Sequence, residues 1–199
     1  MKLLDLFSKD EFKDIIISIA VITFIFAYPY VEFVLLGFSV VAVAFLLHEL
    51  AHRYLARRFG CSAKYKIWYE GIFFSLLFLL FGYKVIAPGA VVVYPYRFGR
   101  WGHRVKHLTV SEMGIISVAG PLANLLLAIF STFIPGYFNF ISSFNVPFYL
   151  RPHIINAWLA FFNLIPVPPL DGSKVMRWKP WMWAFFFIIS IVLVFFAFI

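Results

Sequence analysis

Apolar residues in this chain fall into long unbroken runs, with the polar positions gathered at their ends. A soluble amphipathic helix would instead place apolar residues three and four apart, with a polar face opposite. Asp14 is followed by IIISIAVITFIFAY, which closes at Pro29; counted from about Phe12, this is just long enough for one membrane span. A second run over 33–47 starts beside Glu32 and continues into His48. Residues 110–134 form a third, the stretch from about Pro152 to Pro166 a fourth, and 181–199 a last. The pattern predicts an all-α polytopic membrane protein with five to six transmembrane helices.

The segment 68–96 departs from this pattern. Its apolar core, 72–81, is short and is followed by Gly82-Tyr83-Lys84, Pro88-Gly89 and the β-branched Val91-Val92-Val93. Basic residues flank it on both sides, Lys64 and Lys66 before, Arg97, Arg100, Arg104 and Lys106 after. A single crossing would put one basic cluster outside, so the segment reads as a membrane-dipping β hairpin over about 68–95. A short true span with a returning strand is the alternative.

Composition agrees with a membrane protein. Hydrophobic residues make up 63% of the 199 and charged residues 13%, against about 25% charged in a typical soluble domain. That excludes a water-soluble fold and leaves a single membrane domain over 1–199. The net charge of +8 sits at the ends of apolar runs, where Lys and Arg mark cytoplasmic loops and meet anionic headgroups. It is therefore read as contact with the lipid bilayer, and no nucleic-acid partner is expected. The single cysteine, Cys61, excludes an internal disulfide and a cysteine-built zinc site. The opening MKLLDLFSKDEFKD mixes acids and bases, and no small-residue cleavage site follows the first run. It reads as an interfacial helix leading into a retained span, with the N-terminus cytoplasmic in the cell membrane. The loop 135–151, with one basic residue, is expected outside.

The candidate chemistry lies at the end of the second run, in His48-Glu49-Leu50-Ala51-His52. On a helix His48 and His52 share a face, so their imidazoles can converge on one metal ion. Glu49, one position on, stands where a carboxylate can take a proton from water at the metal. A tetrahedral zinc would need one more protein ligand and would keep one position open. The helical rise from Glu32 to His48 is about 24 Å, so the motif lies inside a core of about 30 Å, near its far face. Arg53, Arg57, Arg58, Lys64 and Lys66 mark that face as cytoplasmic. The plainer reading is a polar helix end at the membrane surface; ionisable groups at membrane depth are costly and favour the functional one.

A third ligand is suggested by scarcity. Of four aspartates three lie in the first fourteen residues, and the fourth is Asp171, in NLIPVPPLDG at 163–172. The predicted topology brings both the motif and Asp171 to the cytoplasmic ends of inward-running spans. Pro166, Pro168 and Pro169 hold the backbone out of a helix, and Gly172 permits a tight turn that points the carboxylate inward. Alone, an Asp-Gly pair would be a common surface turn; beside an incomplete zinc site it is the candidate ligand. Other sets compete less well. His103 and His107 lie among Arg100, Arg104 and Lys106, and read as a solvated basic loop. His153 starts the fourth span on the opposite side, where an interfacial role suffices. Glu70 and Glu112 are the downstream glutamates that another zinc-protease type could use, and neither lies in a helix-end motif.

With these residues the chain resembles the site-2 protease family of intramembrane zinc metalloproteases. The resemblance rests on HELAH at 48–52, on Gly120-Pro121-Leu122-Ala123-Asn124, and on 163–172 with its Leu-Asp-Gly. It implies a catalytic core over about 33–175, Zn2+ held by His48, His52 and Asp171, and Glu49 as the general base. It further implies that Asn124 holds substrate or the developing oxyanion. Gly120 and Asn124 could equally be a small-residue helix contact with an interhelical hydrogen bond. The substrates implied are transmembrane proteins or leftover signal peptides. Ser173 stands where many relatives have a second glycine, and 199 residues leave no room for the PDZ or CBS domains many of them carry. A metal or proton transporter built on the same His/Glu/Asp cluster is the alternative; it would have no use for a glutamate placed like a general base, and no inverted repeat is evident.

Overall fold

The structure is a computed structural model that describes residues 8–94, 96–99, 102–105, 107–134 and 136–196. Arg100, Lys106 and the last three residues of the final apolar run lie outside the described residues, as do the side chains of Arg97, His103 and Arg104.

Helix α1 (Lys9–Ala27) starts from a capping box in which Ser8 and Glu11 satisfy each other's backbone N–H groups. One face, Ile15, Ile19, Ile22 and Phe26, is buried against Val41, Ala44 and Phe45 of α2 (Val34–Arg58). A 3₁₀ turn over Val31–Phe33 leads into α2. At 25 residues, α2 is about 37 Å long at 1.5 Å per residue, enough to cross a bilayer and carry its last turns beyond. Among the described residues two helices are long and apolar enough to cross, Val31–Arg58 and α4 (Val110–Thr132). The first six residues of α1 include five charges. Helix α6 (Pro152–Asn163) has 12 residues, which reach only about 18 Å. The chain is thus mostly helical with two candidate spans, and the larger count expected from the apolar runs rests on sequence.

The segment expected as a hairpin is built as strand, helix, strand. Strand β1 (Ser62–Ile67) pairs antiparallel with β2 (Gly89–Tyr94), with Tyr65 opposite Val91, and the apolar helix α3 (Tyr69–Leu80) lies between them in sequence. The expected hairpin began at Trp68; the first strand begins earlier, at Ser62. Its residues alternate between exposed and buried, with Ala63 and Tyr65 inside and Lys64 and Lys66 outside. In the sequence the two lysines register as charge before they register as a two-residue period. A second, unexpected pair, β3 (Tyr96–Gly99) and β4 (Gly102–Val105), follows. The fold is therefore not all-α.

Helix α4 packs against α2, α6 and α7 (Asp171–Trp178). The short α5 (Tyr137–Ser143) follows α4, and α8 (Pro180–Phe196) closes the chain against α6 and α7. Trp183 of α8 donates from Nε1 to the Leu164 carbonyl (2.7 Å), tying α8 to the loop after α6. The expected turn at Asp171-Gly172 is the first turn of α7. Gly172 is required by close approach: a Cβ there would run into the Leu164 carbonyl.

Candidate metal centre

His48 and His52 lie on the buried face of α2, one turn apart, with ring centroids 4.7 Å from each other. Both Nε2 atoms point towards α4 at Gly120, where the helix has no side chain. A Cβ on Gly120 would fall on those two nitrogens. The Nδ1 atoms face the protein. His52 Nδ1 lies 2.7 Å from the Ile116 carbonyl oxygen, so it must carry the proton. His48 Nδ1 lies 2.5 Å from Asn124 Oδ1. The amide orientation is fixed by Asn124 Nδ2, which donates to the Ala44 carbonyl (3.2 Å) and to Asn156 Oδ1 (2.9 Å). His48 Nδ1 is therefore also the protonated nitrogen, and both Nε2 atoms are left with free lone pairs.

Asp171 completes the group. Its Oδ2 lies 3.0 Å from His52 Nε2 and 3.6 Å from His48 Nε2, and the two Nε2 atoms are 3.0 Å apart. Two imidazole nitrogens and a carboxylate oxygen at these separations form a set of donors that one metal ion can share. Ligands about 2.0–2.1 Å from a tetrahedral zinc stand roughly 3.3 Å apart, so the observed triangle fits that ion. Among the described residues, no other trio of His, Cys, Asp or Glu converges in this way. Glu112 is used in the capping box of α4 with Thr109, Glu70 and His107 are exposed, and His153 is half-buried at the start of α6.

Glu49 is buried beside His48 and lines a small cavity with Asn124, Tyr65, Pro88, Gly89 and Asn163. Its volume of about 20 Å³ is enough for a water molecule. Tyr65 donates or accepts at Ser18 Oγ (2.8 Å) and packs edge-on against Phe45. Burial, and after it the negative charge of Glu49, holds its phenol well above the ordinary value, so it stays protonated. Asn124 is fully buried with its amide engaged on both sides, and it meets both His48 and the cavity beside Glu49. The sequence carries no sign of Asn156, whose Nδ2 donates to the Pro152 carbonyl (2.9 Å) and whose Oδ1 steadies Asn124. It also gave none of the ion pair between Arg53 and Glu11, which anchors the residue next to His52. No local spacing encodes either.

The profile of peptidase family M50 matches residues 33–151. A relative from Methanocaldococcus jannaschii, named as a candidate zinc metalloprotease, is 39% identical over 189 residues, covering 89% of this chain and 89% of its own. The chain belongs to peptidase family M50. This is the site-2 protease family that the three motifs resemble, and membership does not favour the transporter. A Bacillus subtilis relative, also named as a candidate zinc metalloprotease, is 28% identical over 151 residues, 68% of this chain and 64% of its own. A second M. jannaschii relative, named a zinc metalloprotease, is 25% identical over 140 residues, 70% of this chain and 33% of its own. No solved structure matches. The M50 match takes in the His motif and Asn124 but ends before Asp171, whose membership of the site rests on the distances above.

Proposed function

We propose that this chain is a zinc-dependent intramembrane endopeptidase that cleaves peptide bonds in or near transmembrane segments of membrane-anchored proteins, close to the cytoplasmic face. The observation that carries this reading is the meeting of His48, His52 and Asp171 around one point, with Glu49 and a water-sized cavity beside it. His48 and His52 through Nε2 and Asp171 through Oδ2 would hold Zn2+, which when bound polarises the scissile carbonyl and acidifies water. Glu49 takes a proton from the attacking water on its carboxylate and returns it to the leaving nitrogen. Asn124 and the Ile116 carbonyl keep both imidazoles in the tautomer that presents Nε2.

A substrate helix satisfies its own carbonyls, so it must unwind before one can be attacked. The open edge of β2 can take the unwound segment as an added strand. Candidate substrates are transmembrane proteins or leftover signal peptides within the lipid bilayer. The proposed unit is one membrane domain over 1–199 with its catalytic core at about 33–175, in the cell membrane with the N-terminus cytoplasmic. Glu49→Gln keeps the shape of the side chain and loses its basicity. It is expected to retain the metal and the fold while cleavage of a model membrane substrate falls by at least about a hundredfold. Cleavage at the wild-type rate would overturn the proposal.

A further inference from the structure

One side chain joins the open sheet edge to the metal centre. Strand β1 turns its outer edge towards α1: the Tyr65 N–H donates to Glu11 Oε1 (2.9 Å) and the Ile67 N–H to Asp14 Oδ2 (3.4 Å). Along an antiparallel pair, backbone groups alternate between the partner strand and the outside. Tyr65 and Ile67 are therefore in pairs that exchange no hydrogen bonds with their partners, Val91 and Gly89. Val91 and Gly89, and by the same alternation Val93, direct N–H and C=O away from β1. Among the described residues no strand pairs with that edge. Lys174, on the first turn of α7, reaches it: Nζ donates to the Val91 carbonyl (3.3 Å) and to Asp171 Oδ1 (3.2 Å). The other oxygen, Oδ2, is the one that faces the two histidines.

We propose that Lys174 is a positioning residue that couples an extended peptide on the β2 edge to the setting of Asp171 at the metal. The inference rests on the metal-site reading above. An ammonium on Oδ1 leaves Oδ2 as the single oxygen offered to the metal, which keeps the carboxylate monodentate and one coordination position open. A peptide strand pairing with β2 donates an N–H to the Val91 carbonyl, the acceptor that Lys174 uses in the absence of a strand. The ammonium then leaves the strand and closes on Asp171 alone. Peptide N–H and ammonium thus compete for one carbonyl, and pairing at the edge is felt at the metal. An ordinary surface ion pair between residues three apart would contribute little and transmit nothing.

The test uses the full chain in detergent with Co2+ as the probe metal, in a Glu49→Gln background so that added peptide stays intact. The peptide is a decamer of alternating valine and threonine; the same peptide N-methylated at alternate residues, which cannot pair as a strand, is the control. With Lys174 present, the unmethylated peptide is expected to shift the visible cobalt band and the methylated one to leave it unchanged. Lys174→Met is expected to alter the resting band towards higher coordination and to abolish the peptide response, and Lys174→Arg to restore part of it. In the Glu49 enzyme, Lys174→Met is expected to lower kcat about tenfold with KM unchanged or reduced, a split that a structural defect would not produce. A Lys174→Met protein with the parent's resting band and peptide response overturns this inference and leaves the metal site standing. A parent that binds no cobalt overturns both, and a parent whose bound cobalt ignores the peptide overturns the coupling.

Discussion

In the proposed site each imidazole gives Nδ1 to the protein and leaves Nε2 for the metal, and the buried acceptors Asn124 and the Ile116 carbonyl enforce this. Asn124 holds His48, and Asn156 holds Asn124. Asn124→Ala removes the acceptor on His48, so metal affinity or activity should fall by about ten- to a hundredfold, read by competition with a metal chelator; unchanged affinity would mean the tautomer is fixed some other way. Gly120→Ala puts a methyl group where the two Nε2 atoms converge. It should abolish metal binding with little change in helix content by circular dichroism, and a fully loaded variant would show that α4 does not form the wall of the site. The His pair and Glu49 were legible in the sequence because helical geometry turns a spacing of four into convergence. Asp171 was legible through its scarcity, the predicted topology and the Leu-Asp-Gly of the family resemblance, with no helical spacing to point to it. Asn156 and Lys174 were not, because their partners are brought close by packing between helices and strands far apart in sequence.

Among the elements, α1 and β1 act as a brace for the catalytic helix. Glu11 caps α1, accepts the Tyr65 N–H and pairs with Arg53, one residue beyond His52. Both side chains of the pair are buried. Removing one partner strands the other charge, which costs about 3–5 kcal/mol, whereas replacing both by apolar residues of similar size is close to neutral. Glu11→Ala should therefore lower the thermal midpoint in detergent clearly, and the double variant Glu11→Leu/Arg53→Met should recover most of the loss. A single variant that melts with the wild type would remove the brace from the account. The apolar runs announced the helices well, with α2, α4 and α6 starting within about two residues of the expected positions. They hid β1, whose lysines look like a charged loop, and α7, where a proline-rich approach and an Asp-Gly pair look like a turn.

Across the whole molecule, cleavage near the cytoplasmic face requires the His motif and Asp171 at the cytoplasmic end of the bundle and the 135–151 loop at the other. With Cys61 replaced, a cysteine at Asn145 should be labelled from outside intact cells by an impermeant reagent. One at Arg57 should be labelled only after the membrane is opened, and the reverse pattern would invert the proposed topology. In the proposed enzyme His48, His52 and Asp171 hold one zinc between them. The most direct measurement of this is the zinc content of the purified full chain beside that of Asp171→Ala and Asp171→Asn at matched expression. One zinc per wild-type chain is expected, with a strong loss in Asp171→Ala and a smaller loss in Asp171→Asn. Full occupancy in both variants, or none in the wild type, would contradict it.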